Sequence, residues 1–146
     1  MKPANGWPTP QPGDVLSYAY LWHREAQTGQ EEGLKDRPVV VVLASELLEG
    51  QIRLHVAPVT HAPPQRETVA VELPAAVKRD LQLDRERSWI VCDEMNRFIW
   101  PGPDIRLLDN GQPYYGAIPD WLFAEVRTAF AAIAGRRAVK ATPRSS

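Results

Sequence analysis

The chain predicts a mainly β fold with minor α: a small, strongly bent antiparallel barrel with one short helix between strands and a second at the C-terminus. Three observations predict it. Short runs rich in β-branched and aromatic residues, bounded by Gly, Pro and Asn, recur along the sequence. One long segment, Pro119 to Gly135, has apolar residues at helical spacing. A chain of 146 residues can build one core, and it is short for two.

Residues 1–12 read as an extended or disordered arm, because prolines at 3, 8, 10 and 12 forbid helix and ladder alike. Gly13-Asp14 turns the chain into a first strand, Val15 to Trp22, rich in aromatic residues. His23 to Asp36 is polar, with glycines at 29 and 33 and acids at 25, 31 and 32, and reads as a mobile loop. Loops of this length inside a compact domain often carry function.

That loop runs straight into Val39-Val40-Val41-Val42-Leu43, an apolar run expected to form a central strand buried on both faces. Arg37 is the last charged residue before it, and Pro38 restricts the backbone on either side. A guanidinium at the rim of a rigid sheet offers a planar fork of donors to a phosphate or carboxylate. The same position equally suits an ordinary solvated strand end.

Gln51 to Ala57 alternates with Ile52, Leu54 and Val56 on one face, a half-buried antiparallel strand that the prolines from Pro58 onward end. Thr68 to Leu73 alternates again, and Pro74 opens a short helix to about Leu81. Ser88 to Asp93 predicts an internal strand that Glu94 to Trp100 continues. Ile105 to Leu108 and Tyr114 to Ile118 flank Asn110-Gly111 as a hairpin. Pro119-Asp120 then starts a helix with Leu122, Val126, Ala129, Phe130 and Ile133 on one stripe, ending at Gly135. Residues 136–146 carry four bases and no acid and read as a disordered basic tail, which leaves 13–135 as the single domain.

Composition excludes several classes. At 44% hydrophobic and 24% charged residues, no apolar stretch approaches the roughly 20 residues of a membrane span. No secretory signal is visible either, so a cytoplasmic protein is expected. The single cysteine, Cys92, has no partner for an internal disulfide or a cysteine zinc site, and its strand context suits a small buried hydrophobe. A net charge of −1 rules out bulk polyanion binding, so contact with nucleic acid needs a local patch. The sequence has no glycine-rich phosphate loop, no zinc-ligand spacing and no serine-elbow motif. No metal or other cofactor is expected.

Four segments together resemble the PemK/MazF toxin family. They are Gly13-Asp14-Val15, Lys35-Asp36-Arg37-Pro38-Val39-Val40-Val41, Ala57-Pro58-Val59-Thr60, and Cys92-Asp93-Glu94-Met95-Asn96-Arg97-Phe98-Ile99-Trp100. The likeness covers roughly Gly13 to Leu108. It implies an SH3-like barrel with a terminal helix, a homodimer, metal-independent cutting of single-stranded RNA, and an antitoxin that wraps the dimer.

By the resemblance, the catalytic arginine falls on Arg37 and the phosphate-binding hydroxyl on Thr60. Cleavage through the ribose 2′-OH needs that hydroxyl activated, the phosphorane charge stabilised and the leaving 5′-oxygen protonated. Arginine is an awkward proton carrier, and His61 is a more ordinary acid or base next to Thr60. Lys35, Trp22, His55, Asn96, Arg97 and Trp100 are the candidate RNA contacts; the two tryptophans suit either base stacking or core packing. Asn96 stands where relatives place a base, with Arg97 one position later and so on the other strand face. Glu25, Glu31 and Glu32 in the first loop would repel an RNA backbone. The alternative is a barrel that binds without cutting, as a protein- or nucleic-acid-binding module with a topoisomerase as one possible partner, or a toxin relative that has lost activity.

Overall fold

The computed structural model describes residues 7–29, 35–65, 69–135 and 139–144. Its strands are β1 (Asp14–Tyr18), β2 (Arg37–Glu46), β3 (Ile52–Thr60), β4 (Ala70–Glu72), β5 (Trp89–Val91), β6 (Glu94–Ile99), β7 (Tyr114–Ala117) and β8 (Lys140–Pro143). The helices are α1 (His23–Gln27), α2 (Ala75–Asp80) and α3 (Asp120–Ala134). Hydrogen bonds join the strands in the order β4-β5-β3-β2-β1-β7, all antiparallel, with β6 also on β3 and β8 parallel to β6. The order does not return on itself. The mainly β, largely antiparallel class predicted from sequence is present, as a sheet that stays open.

The valine run behaves as its composition demands. Val39 and Val41 point into one core with Leu16, Tyr18, Leu54, Val56 and Phe98. Val40 and Val42 point into another, with Val15, Ala57 and Val59 and with Val77 of α2 and Leu122 and Val126 of α3. At about 2 kcal/mol for each valine taken from water, β2 ties the two cores together. A register irregularity between Val41 and Leu43 leaves Val42 buried and turns Leu43 outward.

β3 exchanges partners along its length, pairing with β6 from Arg53 to Val56 and with β5 at Val59 and Thr60. Pro58 falls in the gap between the two ladders, where its missing N–H is not called for. This is why the strand runs through the proline expected to stop it, and why Thr60 reaches the rim beside β2.

Four further expectations are corrected. The loop from His23 opens as a helix: the Glu25 carboxylate accepts from Trp22 N–H at 3.0 Å, and Glu94 Oε1 accepts from His23 N–H at 3.0 Å. The other two acids of that loop, Glu31 and Glu32, lie outside the described residues. The long strand from Ser88 is two strands, β5 and β6, separated at Cys92 and Asp93. The hairpin at Asn110-Gly111 keeps its turn, with Gly111 N–H on the Leu108 carbonyl, but β7 pairs with β1, and Ile105 makes only a bridge to Tyr18. The tail adds β8, and Arg144 behind it is buried in an ion pair with Asp104 at 2.7 Å. A basic residue in a terminal segment had found an internal carboxylate, a long-range pairing that composition cannot show.

Candidate active site

The β2–β3 register brings Arg37 and Thr60 together. The pairing ends at Val39 and Pro58, and Arg37 and Thr60 each lie two residues beyond it, at the first position of β2 and the last of β3. The Arg37 guanidinium donates through Nη1 to the Val59 carbonyl at 3.2 Å, while its buried Nε has no hydrogen-bond partner. The Thr60 hydroxyl accepts from Ala62 N–H at 3.2 Å, which leaves its own proton to give.

Both residues line a cleft of about 750 Å³, together with Trp22, Arg24, Lys35, His61, Lys78 and Asp84. Trp22 is half-buried, and the guanidinium carbons of Arg24 and Arg37 lie 4.9 and 5.1 Å from its ring centroid. Burial lowers the Arg37 pKa; attraction to Glu25 opposes this and repulsion from Arg24 adds to it. At the far side His61 Nε2 lies 2.8 Å from Asp84 Oδ2, and Nδ1 lies 3.1 Å from Glu86 Oε2. The two carboxylates fix the orientation of the ring.

Beneath that cluster is a feature the sequence reading passed over. Lys78, one turn before Leu81 and hence on the same face of α2, is buried. Its ammonium donates to Asp84 Oδ1 and Ser88 Oγ, each at 2.7 Å, and to the Glu86 carbonyl. The Lys78 hydrogen bond holds the Asp84 carboxyl below the usual carboxylate range. Among the described residues, His61, Asp84 and Glu86 have the spacing to hold a divalent ion, their ligand atoms lying within 4.8 Å of one another. The Lys78 ammonium already takes one oxygen of Asp84.

Of the nine candidates from sequence, Arg37, Thr60, His61, Lys35 and Trp22 share the cleft. The other four do not line it. Asn96 is fully buried; it accepts from Leu21 N–H and Arg144 and donates to the Leu21 carbonyl. Trp100 packs in the inner core between Trp7 and Tyr114, with centroids at 6.0 and 6.2 Å. His55 and Arg97 are cross-strand partners on β3 and β6. Arg24 and Lys78 were missed: one sits in a helix read as loop, the other shows only as a lysine at apolar helical spacing.

No family model matches the chain, and no curated protein matches it in sequence. A solved structure described as an endoribonuclease in complex with its cognate antitoxin from Mycobacterial species has a similar fold. Its TM-score is 0.51 at 15% identity, over 87% of this chain and 96% of the other. No helix among the described residues is long and apolar enough to cross a membrane.

Proposed function

We propose that the chain is a toxin-like endoribonuclease that cuts single-stranded RNA by attack of the ribose 2′-OH, as the PemK/MazF resemblance implies. The observation that carries this reading is that Arg37 and Thr60, from the ends of β2 and β3, line one cleft. A similar fold in an endoribonuclease bound to its antitoxin supports it.

In this reading the scissile phosphate sits between Arg37 and Thr60. The 2′-oxygen forms a bond to phosphorus as the bond to the 5′-oxygen breaks, giving a 2′,3′-cyclic phosphate and a 5′-hydroxyl. Arg37 donates to the non-bridging oxygens, where charge grows in the phosphorane, and a donor already in place needs no reorganisation. The Thr60 hydroxyl holds the phosphate in register. Both ring nitrogens of His61 are held by Asp84 and Glu86, so His61 carries a proton to or from the reacting oxygens in this reading by turning one nitrogen away from its carboxylate. DNA lacks the nucleophile and is not cut. A second copy of the chain and an antitoxin are the expected protein partners.

The test is incubation of the purified protein with a long single-stranded RNA in EDTA. Wild type should cut it; Arg37→Ala should lower the rate by about 10²–10³-fold, the usual cost of one charge-stabilising donor. Thr60→Ala should lower it about tenfold, consistent with one hydrogen bond to a charged group. An uncut RNA defeats the enzyme reading, and cutting that survives both substitutions moves the site elsewhere.

A further inference from the structure

We infer that Arg24 builds a second phosphate subsite in the cleft, gripping the RNA backbone one linkage away from the phosphate held by Arg37. The inference rests on the endoribonuclease reading and supplies the cation that the sequence lacks at Asn96.

Three observations place Arg24 there. The first is the indole it shares with Arg37: both guanidinium carbons lie about 5 Å from the Trp22 centroid. Like charges so close repel, and the repulsion from Arg24 is felt at Arg37 beside a larger attraction from Glu25. An anion between or beside the two relieves it. The second is that the segment carrying Arg24 is pinned to β6. Asn96 binds both the N–H and the carbonyl of Leu21 at 2.9 and 2.7 Å. Glu94 accepts from Tyr20 Oη and from His23 N–H, each at 3.0 Å. The asparagine found where a base was looked for therefore holds the backbone just ahead of a different base. The third is the cleft itself, which has room beyond one phosphate and is lined by Lys35 as well as the two arginines. Arg24, Lys35, Arg37 and Lys78 line it with Glu25, Asp36 and Asp84; because Lys78 is held by Asp84 and Asp36 is paired with Arg106, Arg24, Lys35 and Arg37 are set against Glu25 in a chain whose net charge is −1. Such a local excess suits a polyanion with regularly spaced charges.

Binding of a fluorescein-labelled, fully 2′-O-methylated single-stranded RNA, which the chemistry cannot cut, tests this by anisotropy between 50 and 200 mM NaCl. Arg24→Ala should bind about fivefold more weakly, and its plot of log affinity against log salt should be shallower by about 0.7, the value for one phosphate contact on a single strand. Arg24→Lys should keep the wild-type slope, since the charge remains. Arg127→Ala, a charge removed from α3, should behave as wild type. On cuttable RNA, Arg24→Ala should raise KM and leave kcat in place. An Arg24→Ala protein with wild-type affinity and salt slope overturns the subsite while leaving Arg37 and Thr60 standing. A wild-type protein that binds no RNA overturns both.

Discussion

At the scale of single residues, the site is built from groups that the fold positions without using up. Arg37 spends one donor on the Val59 carbonyl and keeps a buried Nε without a partner. Lys78 is the opposite case, with its ammonium engaged by Asp84, Ser88 and the Glu86 carbonyl. Lys78→Met should therefore cost about 2 kcal/mol in chemical denaturation, by removing three hydrogen bonds to the ammonium and leaving Ser88 Oγ and the Glu86 carbonyl only each other, and should loosen the carboxylate that orients His61. His55 makes a pH prediction. Burial, then repulsion from Arg97 and Arg53, lowers its pKa from 6.5. The unfolded chain thus takes up the proton first, so stability is full above about pH 6.5 and falls as the pH drops toward the folded-state value. His55→Gln should flatten the fall in Tm between pH 7.5 and 5; an unchanged slope would assign the loss to other groups. Part of this scale was legible beforehand: Trp22, Lys35, Arg37, Thr60 and His61, singled out from the sequence, are among the residues that line the cleft. Arg24 and Lys78 were not: the segment carrying Arg24 is set by Glu94 and Asn96, far away in sequence, and Lys78 finds its partners in the irregular turn after α2, which no periodicity marks.

At the scale of elements, β8 is where sequence reasoning was furthest from the structure. A short basic segment with no apolar pattern pairs with β6 and delivers Arg144 to Asp104, Asn96 and the Ala19 carbonyl. The Arg144 side chain is 2% exposed, so Arg144→Ala leaves Asp104 buried without that partner. The expected cost is about 3 kcal/mol, or roughly 6–12 °C in Tm for a domain of this size. A shift under 2 °C would mean that β8 is ornamental. The same arginine touches Asn96, which holds Leu21, so Arg144→Ala should also weaken RNA binding by releasing the segment ahead of Arg24. The β2 and α3 expectations succeeded because strong periodicity, once buried, leaves few alternatives. The break between β5 and β6 escaped notice because its cause is the change of partner along β3, which no local pattern records.

At the scale of the whole molecule, the sheet leaves its ends open, and two of the exposed large apolar side chains, Leu43 at 53% and Trp121 at 56%, stand on different elements. The dimer expected from the toxin resemblance would give a mass about twice 16.4 kDa in light scattering. A monomer at micromolar concentration would count against that dimer. Fold class was readable from turn residues and strand lengths, whereas closure was not, since whether a sheet meets itself depends on summed twist. In the proposed reaction the cleft between Arg37 and Thr60 holds a phosphodiester for attack by its own 2′-oxygen. Its most direct test maps one cleavage site and replaces the ribose on the 5′ side of that linkage with 2′-deoxyribose. Cutting should stop at that linkage while the parent RNA yields a 2′,3′-cyclic phosphate; a deoxy linkage still cut at the parental rate would exclude attack by the 2′-oxygen.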